Sequence, residues 1–329
     1  MKILTNVDNK ENYKLYLKVE QAACEFLDSN NYLKINLPVL SPALIPESYL
    51  NVFETRFNYF DKNNKLYLTP SPELFLKRLL VHGVGDCYYL GKSFRNNDPP
   101  ATLHSFEFTM LEFYKMGIGY MELAEVVLKM LQYINSKINK KDNELIIQYQ
   151  GKKISLERWE KITVAKAFQK YSNISQAELF DKELFIKKAK NKGYQIENSA
   201  YEDLWSQIYS QEVEPNLGVN GYPTLIYDYP KEFAALAKLN KDGRTTQRFE
   251  FYIDGIELGD CYSELTDWKE QNSRFSKEGK VIHPIDRGYI EALKYGLGEC
   301  AGIAIGFERL AMIFADLTSI DKLKLVNIV

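Results

Sequence analysis

Cys87 to Lys115 reads CYYLGKSFRNNDPPATLHSFEFTMLEFYK. Two runs of aromatic and β-branched residues flank a polar segment with Pro99 and Pro100, which no regular element tolerates in its middle. The stretch therefore predicts strand, loop, strand. Side chains alternate along a strand, which puts Gly91, Ser93 and Arg95 on one face of the first. Two small residues followed by an arginine leave room for a ligand and supply a planar, permanently charged fork suited to phosphate or carboxylate. The other reading of Arg95 is a surface salt bridge; arginine is scarce beside lysine in this chain, which weighs toward the ligand. On the second strand Glu112 and Tyr114 share a face, a carboxylate beside a hydroxyl, which suits an ammonium group.

The 329 residues are 45% hydrophobic and 13% aromatic, enough for a sizeable core. The 42 basic and 44 acidic residues nearly balance, without the basic excess of a dedicated nucleic-acid binder. Cys24, Cys87, Cys261 and Cys300 are far apart with no CxxC, which argues against zinc and a disulfide framework and for reduced cytoplasmic thiols. No apolar run has signal-peptide length or approaches the roughly 20 residues that cross a bilayer. A cytoplasmic protein with no membrane partner is expected. With no repeat, low-complexity tract or linker, residues 1–329 read as one domain.

Amphipathic spacing predicts a helix from Glu11 to Ser29, and Leu33, Ile35, Leu37 and Val39 alternate as a strand. Pro38 removes a ladder donor and places that strand at an edge or an interface. Pro70 and Pro72 postpone the next helix to Glu73, whose carboxylate in the first turn answers the helix dipole. Gly119 to Ile138 reads as a further helix and Pro223 to Pro230 as a strand. In RFEFYIDGIELGDCYSELTD, Arg248 to Asp267, the Asp254-Gly255 pair between alternating apolar runs is a two-residue hairpin signal. Tyr252 then faces Glu257, and Glu250 shares their face on the diagonal, roughly 7–8 Å away at Cα. Two such carboxylates either point to solvent or hold a hard cation such as Mg²⁺ carrying nucleotide phosphates.

Asp260 and Glu264 add negative charge near the same end of the strand. With Glu73, Glu112 and Tyr114 they would make a pocket for a lysine-like diamine, because acids unmatched by arginines suit a neutral amino acid poorly. In GLGECAGIAIGFERLAMIF, Gly296 to Phe314, a small-residue strand runs into a helix with Arg309 at the junction. There Arg309 either forms a salt bridge or meets a purine or polyphosphate.

Together these segments resemble the three motifs of class II aminoacyl-tRNA synthetases, in order, over essentially the whole chain. Phe94-Arg95-Asn96-Asn97 and His104-Ser105-Phe106-Glu107-Phe108-Thr109-Met110-Leu111-Glu112 are similar to motif 2 of the lysyl branch. The first helix with the Pro38 strand resembles motif 1, and Gly306-Phe307-Glu308-Arg309-Leu310 resembles motif 3. VFETRF (Val52 to Phe57), SPELFLKRLL, VEPNLG (Val213 to Gly218) and GIELGDCYSELTD look like the shortened lysyl-type family, the elongation factor P (R)-β-lysine ligases.

The resemblance implies an α+β fold, the class II catalytic domain, with an antiparallel sheet flanked by helices. Only about 10 residues precede the first helix, so no anticodon-binding domain is expected. Motif 1 implies a homodimer. ATP would be bound by Arg95, Asn97, His104, Phe108, Glu250, Glu257 and Arg309, with Mg²⁺ on Glu250 and Glu257 and catalysis by Arg95 and Arg309. Ser71, Glu73, Glu112, Tyr114, Asp260 and Glu264 would hold a lysine-like amino acid, (R)-β-lysine, for transfer to a lysine of elongation factor P, without tRNA. Alternatives are another amino acid or acceptor, or a non-catalytic amino-acid-binding regulator.

Several positions depart from the family pattern. Asn97 stands where a glutamate meets the adenine, and the motif 2 loop is one residue longer, with no arginine near His104. Gly259-Asp260-Cys261-Tyr262 replaces Ala-Asn-Gly-Phe, and Glu308 replaces an aspartate.

Overall fold

The computed structural model describes residues 1–329 apart from 47–49, 61, 99, 140–144, 195–199, 278–282 and 329, so Pro99 lies outside the described residues. The stretch from Cys87 forms the hairpin its pattern predicts, strands Cys87–Phe94 and Glu107–Met116, paired antiparallel. Around it an eight-stranded sheet is ordered Glu160–Thr163, Thr224–Tyr227, Arg248–Ile253, Ile256–Ser263, Cys300–Gly306, Glu107–Met116, Cys87–Phe94, Leu33–Lys34. The inner pairings are antiparallel, and the outermost strand at each edge is parallel to its neighbour. The α+β class and the antiparallel sheet flanked by helices are those expected.

Each face of the sheet has its own core. Tyr88, Leu111, Phe113, Phe249, Phe251, Cys261, Ile303 and Ile305 point to one side. Against them pack the helices Lys10–Ser29, Tyr120–Ile138 and Phe307–Phe314. The first helix forms because Val19, Ala22, Ala23, Phe26 and Leu27 recur at helical spacing and all are buried. Glu122 starts the second by accepting from Gly119 N at 2.7 Å. On the other side Cys87, Tyr89, Tyr114 and Cys300 join the helices Glu73–Val81, Trp268–Lys277 and Arg287–Leu293 in a smaller cluster, which leaves part of that face open. A third cluster, built from helical segments between residues 164 and 213, closes over Ile226 and Tyr252 at the sheet's far end.

Two backbone details differ from the alternating pattern. The strand expected over Leu33–Val39 ends at Lys34, and the chain pairs again only as Leu40–Ser41, in a separate three-stranded sheet with Glu54–Tyr59 and Lys62–Leu68. Pro38 sits in the gap, where no ladder donor is required. The Asp254-Gly255 turn is as predicted, both residues at positive φ (51° and 74°), and Ile253 faces Ile256 and Tyr252 faces Glu257. Between Phe251 and Tyr252 the register shifts, so Glu250 lies opposite Asp260 instead of Gly259. That bulge reverses the parity of the second strand. Glu257 and Asp260, three residues apart, thereby both line the cleft described next.

Candidate active site

The open sheet face is the floor of a cleft lined by Ser71, Glu73, Arg95, His104, Phe108, Glu112, Tyr114, Glu250, Glu257, Asp260 and Arg309, among others. Eleven of the thirteen candidate residues thus share one cavity. Alternation accounts for the floor: Phe108, Met110, Glu112 and Tyr114 on one strand sit beside Gly302, Ala304 and Gly306 on the next. Glycine is required at 302, because a Cβ there would overlap the ring of Tyr114. Asn97 is exposed in the turn after Arg95, and Glu264 lies buried beyond the cleft wall; neither is among the described lining residues.

One end is cationic. Arg95 leaves the hairpin strand with its guanidinium 5.3 Å from the Phe108 ring centroid, and its buried Nε has no hydrogen-bond partner among the described residues. A planar charge with an unused donor suits an anion. Arg309, from the first turn of its helix, donates to Leu103 O (Nε, 3.0 Å), Glu257 O (Nη1, 3.0 Å) and His104 Nε2 (Nη2, 2.8 Å). It therefore ties the loop that carries Leu103 and His104 to the Arg248–Ser263 hairpin. Burial and the Arg309 and Arg95 charges hold His104 below its ordinary pKa, so its ring is a neutral acceptor for that bond.

The other end is acidic, but its acids are not unmatched, which corrects the sequence expectation. Lys77, fully buried, reaches Glu73 at 3.0 Å and Glu264 at 2.7 Å. Arg248 donates to Glu250 Oε1 (2.8 Å) and Asp260 Oδ1 (2.9 Å). Each cation answers two carboxylates, so carboxylates outnumber cations two to one in each group, and burial pushes Glu264 up to about 8 and Asp260 up to about 6. Glu264, buried in its bridge to Lys77, is not placed to touch a ligand directly in this arrangement. Tyr262 donates to Glu73, and Lys77 lies 4.9 Å from its ring centroid. Glu112 accepts from Tyr114 Oη (2.7 Å) and Ser71 Oγ (2.9 Å). Burial, then the nearby Glu73 charge, pushes Glu112 up to about 8, so at neutral pH it carries a proton that an arriving ammonium would displace.

Sequence reasoning passed over Lys77, Arg248 and Tyr262. The two cations carried a local signal: Glu73 and Lys77 stand at i,i+4 on one helix, Arg248 and Glu250 at i,i+2 on one strand. Tyr209, which donates to Glu250 Oε2 at 3.2 Å, comes from a helical segment 41 residues away and carried none.

The acid pair expected to hold Mg²⁺ faces the cleft. Glu257 is partly exposed and forms a 3.4 Å ion pair with Arg309. Glu250 is buried and also accepts from Tyr252 at 2.6 Å. Glu214, in the VEPNLG segment, is pushed up to about 7 by burial and by the charges of Glu257 and Glu250. Crowded carboxylates of this kind fit a hard divalent cation. Among the described residues no group of three or more acids, histidines or cysteines is close enough to hold a metal alone. Two glutamates plus phosphate oxygens and water is a usual Mg²⁺ set.

A family profile described as "tRNA synthetases class II (D, K and N)" matches residues 1–325. The chain is 33% identical over 328 residues to a lysine–tRNA ligase of Carboxydothermus hydrogenoformans, covering 97% of this chain and 65% of that protein. It is 35% identical over 311 residues to an elongation factor P–(R)-β-lysine ligase of Avibacterium paragallinarum, covering 91% of this chain and 89% of that protein. A lysine–tRNA ligase of Wigglesworthia glossinidia brevipalpis is 33% identical over 97% of this chain and 64% of its own length. This chain thus spans just under two thirds of these tRNA ligases.

Proposed function

This chain belongs to the class II tRNA synthetases of the D, K and N group, and on that premise we propose that it is an ATP-dependent ligase for a lysine-like amino acid, with a lysine of elongation factor P as acceptor. The observation that carries the reading is the polarity of one cleft: two arginines at one end, and at the other two groups in which carboxyls outnumber the cation two to one. ATP fits the first end and a diamino acid the second, with the carboxylate of the amino acid between.

Activation forms a bond from a carboxylate oxygen to the α-phosphorus and breaks the bond to pyrophosphate. Arg95 would hold the α-phosphate and its developing charge, and Phe108, whose ring centroid lies 5.3 Å from that guanidinium, would meet the base. Arg309 fixes the position of His104 and Glu257 and closes the polyphosphate end. Glu250 and Glu257 would hold Mg²⁺, which supplies charge neutralisation on the phosphates. Glu112, Glu73 and Asp260 bind the amino groups, so catalysis is chiefly positioning. In the second half-reaction an acceptor amine attacks the adenylate carbonyl, forms an amide and expels AMP.

Support for elongation factor P as acceptor is the relative of that name, matched over 89% of its length, against 64–65% for the tRNA ligases. Loading of tRNA is the second reading, because lysine–tRNA ligases match at similar identity. We expect a homodimer. Amino-acid-dependent ATP–pyrophosphate exchange across α-lysine, β-lysine, ornithine and neutral amino acids tests the first step. Exchange with diamino acids alone supports the reading, and exchange with neutral amino acids alone refutes it. Purified elongation factor P and tRNA, offered separately with the activated amino acid, decide the acceptor.

A further inference from the structure

Gln271 is fully buried, lines the cleft, and has no hydrogen-bond partner among the described residues for either amide atom. A buried amide in that state has lost water and gained nothing, which folding alone does not select. Its surroundings place it at the acid end. Gln271 lies on the Trp268–Lys277 helix, one turn before Arg274, which donates to the carbonyls of Ala235 (2.9 Å) and Ala237 (2.8 Å). The same segment is stitched to the strand end that carries the acids: Ala237 bridges Glu264, and Leu265 N donates to Leu236 O at 3.0 Å. Ala235 and Leu236 line the cleft beside Gln271. The helix therefore holds an unused carbonyl oxygen against the amine end of the pocket.

We propose that Gln271 is a specificity-determining residue of the amino-acid subsite, its Oε1 accepting a hydrogen bond from the side-chain ammonium of a diamino acid. The inference rests on the ligase reading given above. Glu73 and Glu264 already share the buried Lys77 ammonium, so a neutral acceptor adds a directional contact without a further unpaired charge. An amino acid with an apolar side chain would leave that oxygen buried and unpaired, and be rejected for it.

The test uses the full-length protein, with lysine and β-lysine as probes, read by thermal shift and by pyrophosphate exchange. Gln271→Met, similar in shape without the polar atoms, is expected to weaken diamino-acid binding by about tenfold or more, leave the KM for ATP unchanged, and keep or raise the ligand-free Tm. Gln271→Glu retains an acceptor and is expected to recover most of the binding lost in Gln271→Met. Three results would overturn the proposal: equal binding by wild type and Gln271→Met, weaker binding by Gln271→Glu than by Gln271→Met, or a lowered Tm with both substrates affected. A wild type that no diamino acid stabilises also overturns it. Stabilisation by diamino acid without exchange would instead sink the ligase reading and leave the Gln271 comparison decisive on its own terms.

Discussion

Binding of the amino acid should release a proton from Glu112. Burial and the Glu73 charge raise this carboxyl from 4.5 to about 8, while Lys77, Tyr114 and Ser71 oppose the rise. Only the ionised form attracts an ammonium, so the apparent dissociation constant is the intrinsic one divided by the ionised fraction. That fraction is about one half at pH 8 and about one hundredth at pH 6, which makes affinity about 50-fold weaker at pH 6. At pH 7 roughly 0.9 proton should leave per amino acid bound. Calorimetry in two buffers of different ionisation enthalpy reads the proton count, and the KM in pyrophosphate exchange at saturating ATP reads the affinity. Glu264 is also pushed up to about 8, so the Glu112→Gln variant is needed to apportion the slope: the part that vanishes belongs to Glu112. Stability has the opposite sign. A carboxyl raised in the folded state favours folding below its unfolded pKa and loses that contribution as pH climbs from about 4.5 to 8. Glu112→Gln should therefore lose less Tm between pH 6 and pH 8 than the wild type. A flat KM from pH 6 to 8, or a slope unchanged in Glu112→Gln, would refute the assignment.

Arg309→Ala removes charge-assisted bonds to the motif 2 loop and to Glu257, and should raise the KM for ATP by about 10- to 100-fold. Arg309→Lys should restore little, because one ammonium cannot span three partners in a plane; full recovery would argue that only charge matters. Lys77→Met strands Glu73 and Glu264 and should cost about 3–5 kcal/mol in urea unfolding, with much of it regained on adding Glu264→Gln. No regain would show that the loss is packing. Gly302→Ala should displace Tyr114, cost about 1–3 kcal/mol and raise the amino-acid KM more than the ATP KM; equal effects on both would count against a local clash.

Most of the cleft was legible because strand alternation and hairpin chemistry are local. The pair Glu112 with Tyr114 and the Asp254-Gly255 turn follow from spacing alone, and the register agrees; Gly91 and Ser93 share the expected strand face, but the Tyr89 side chain, not a ligand, takes the space over Gly91. What escaped was set by tertiary contacts. The Leu33–Val39 strand stops short because its backbone pairing reaches only Ile35, whose N–H donates to Tyr88 O at 2.8 Å, although apolar alternation continues. Reading charges by type along the chain counted acids and missed that Lys77 enters from a helix and Arg248 from the neighbouring strand to answer them. The bulge after Phe251 has no composition of its own: a single extra residue changes which side chains meet.

That extra residue makes the site far more sensitive to register than to spelling. Without the bulge the same residues would pair regularly, Leu258 opposite Phe251 and Gly259 opposite Glu250, and the rest of the strand would turn over. Cys261 and Ser263 would then face the ligand, while Asp260 and Tyr262 would be driven among Phe249, Ile303 and the helices behind them. Substitutions along Gly259-Asp260-Cys261-Tyr262 can retune what the cleft accepts, one side chain at a time. Loss of the bulge by a register slip has no such gradation: it exchanges the binding surface for core and the core for binding surface in a single step.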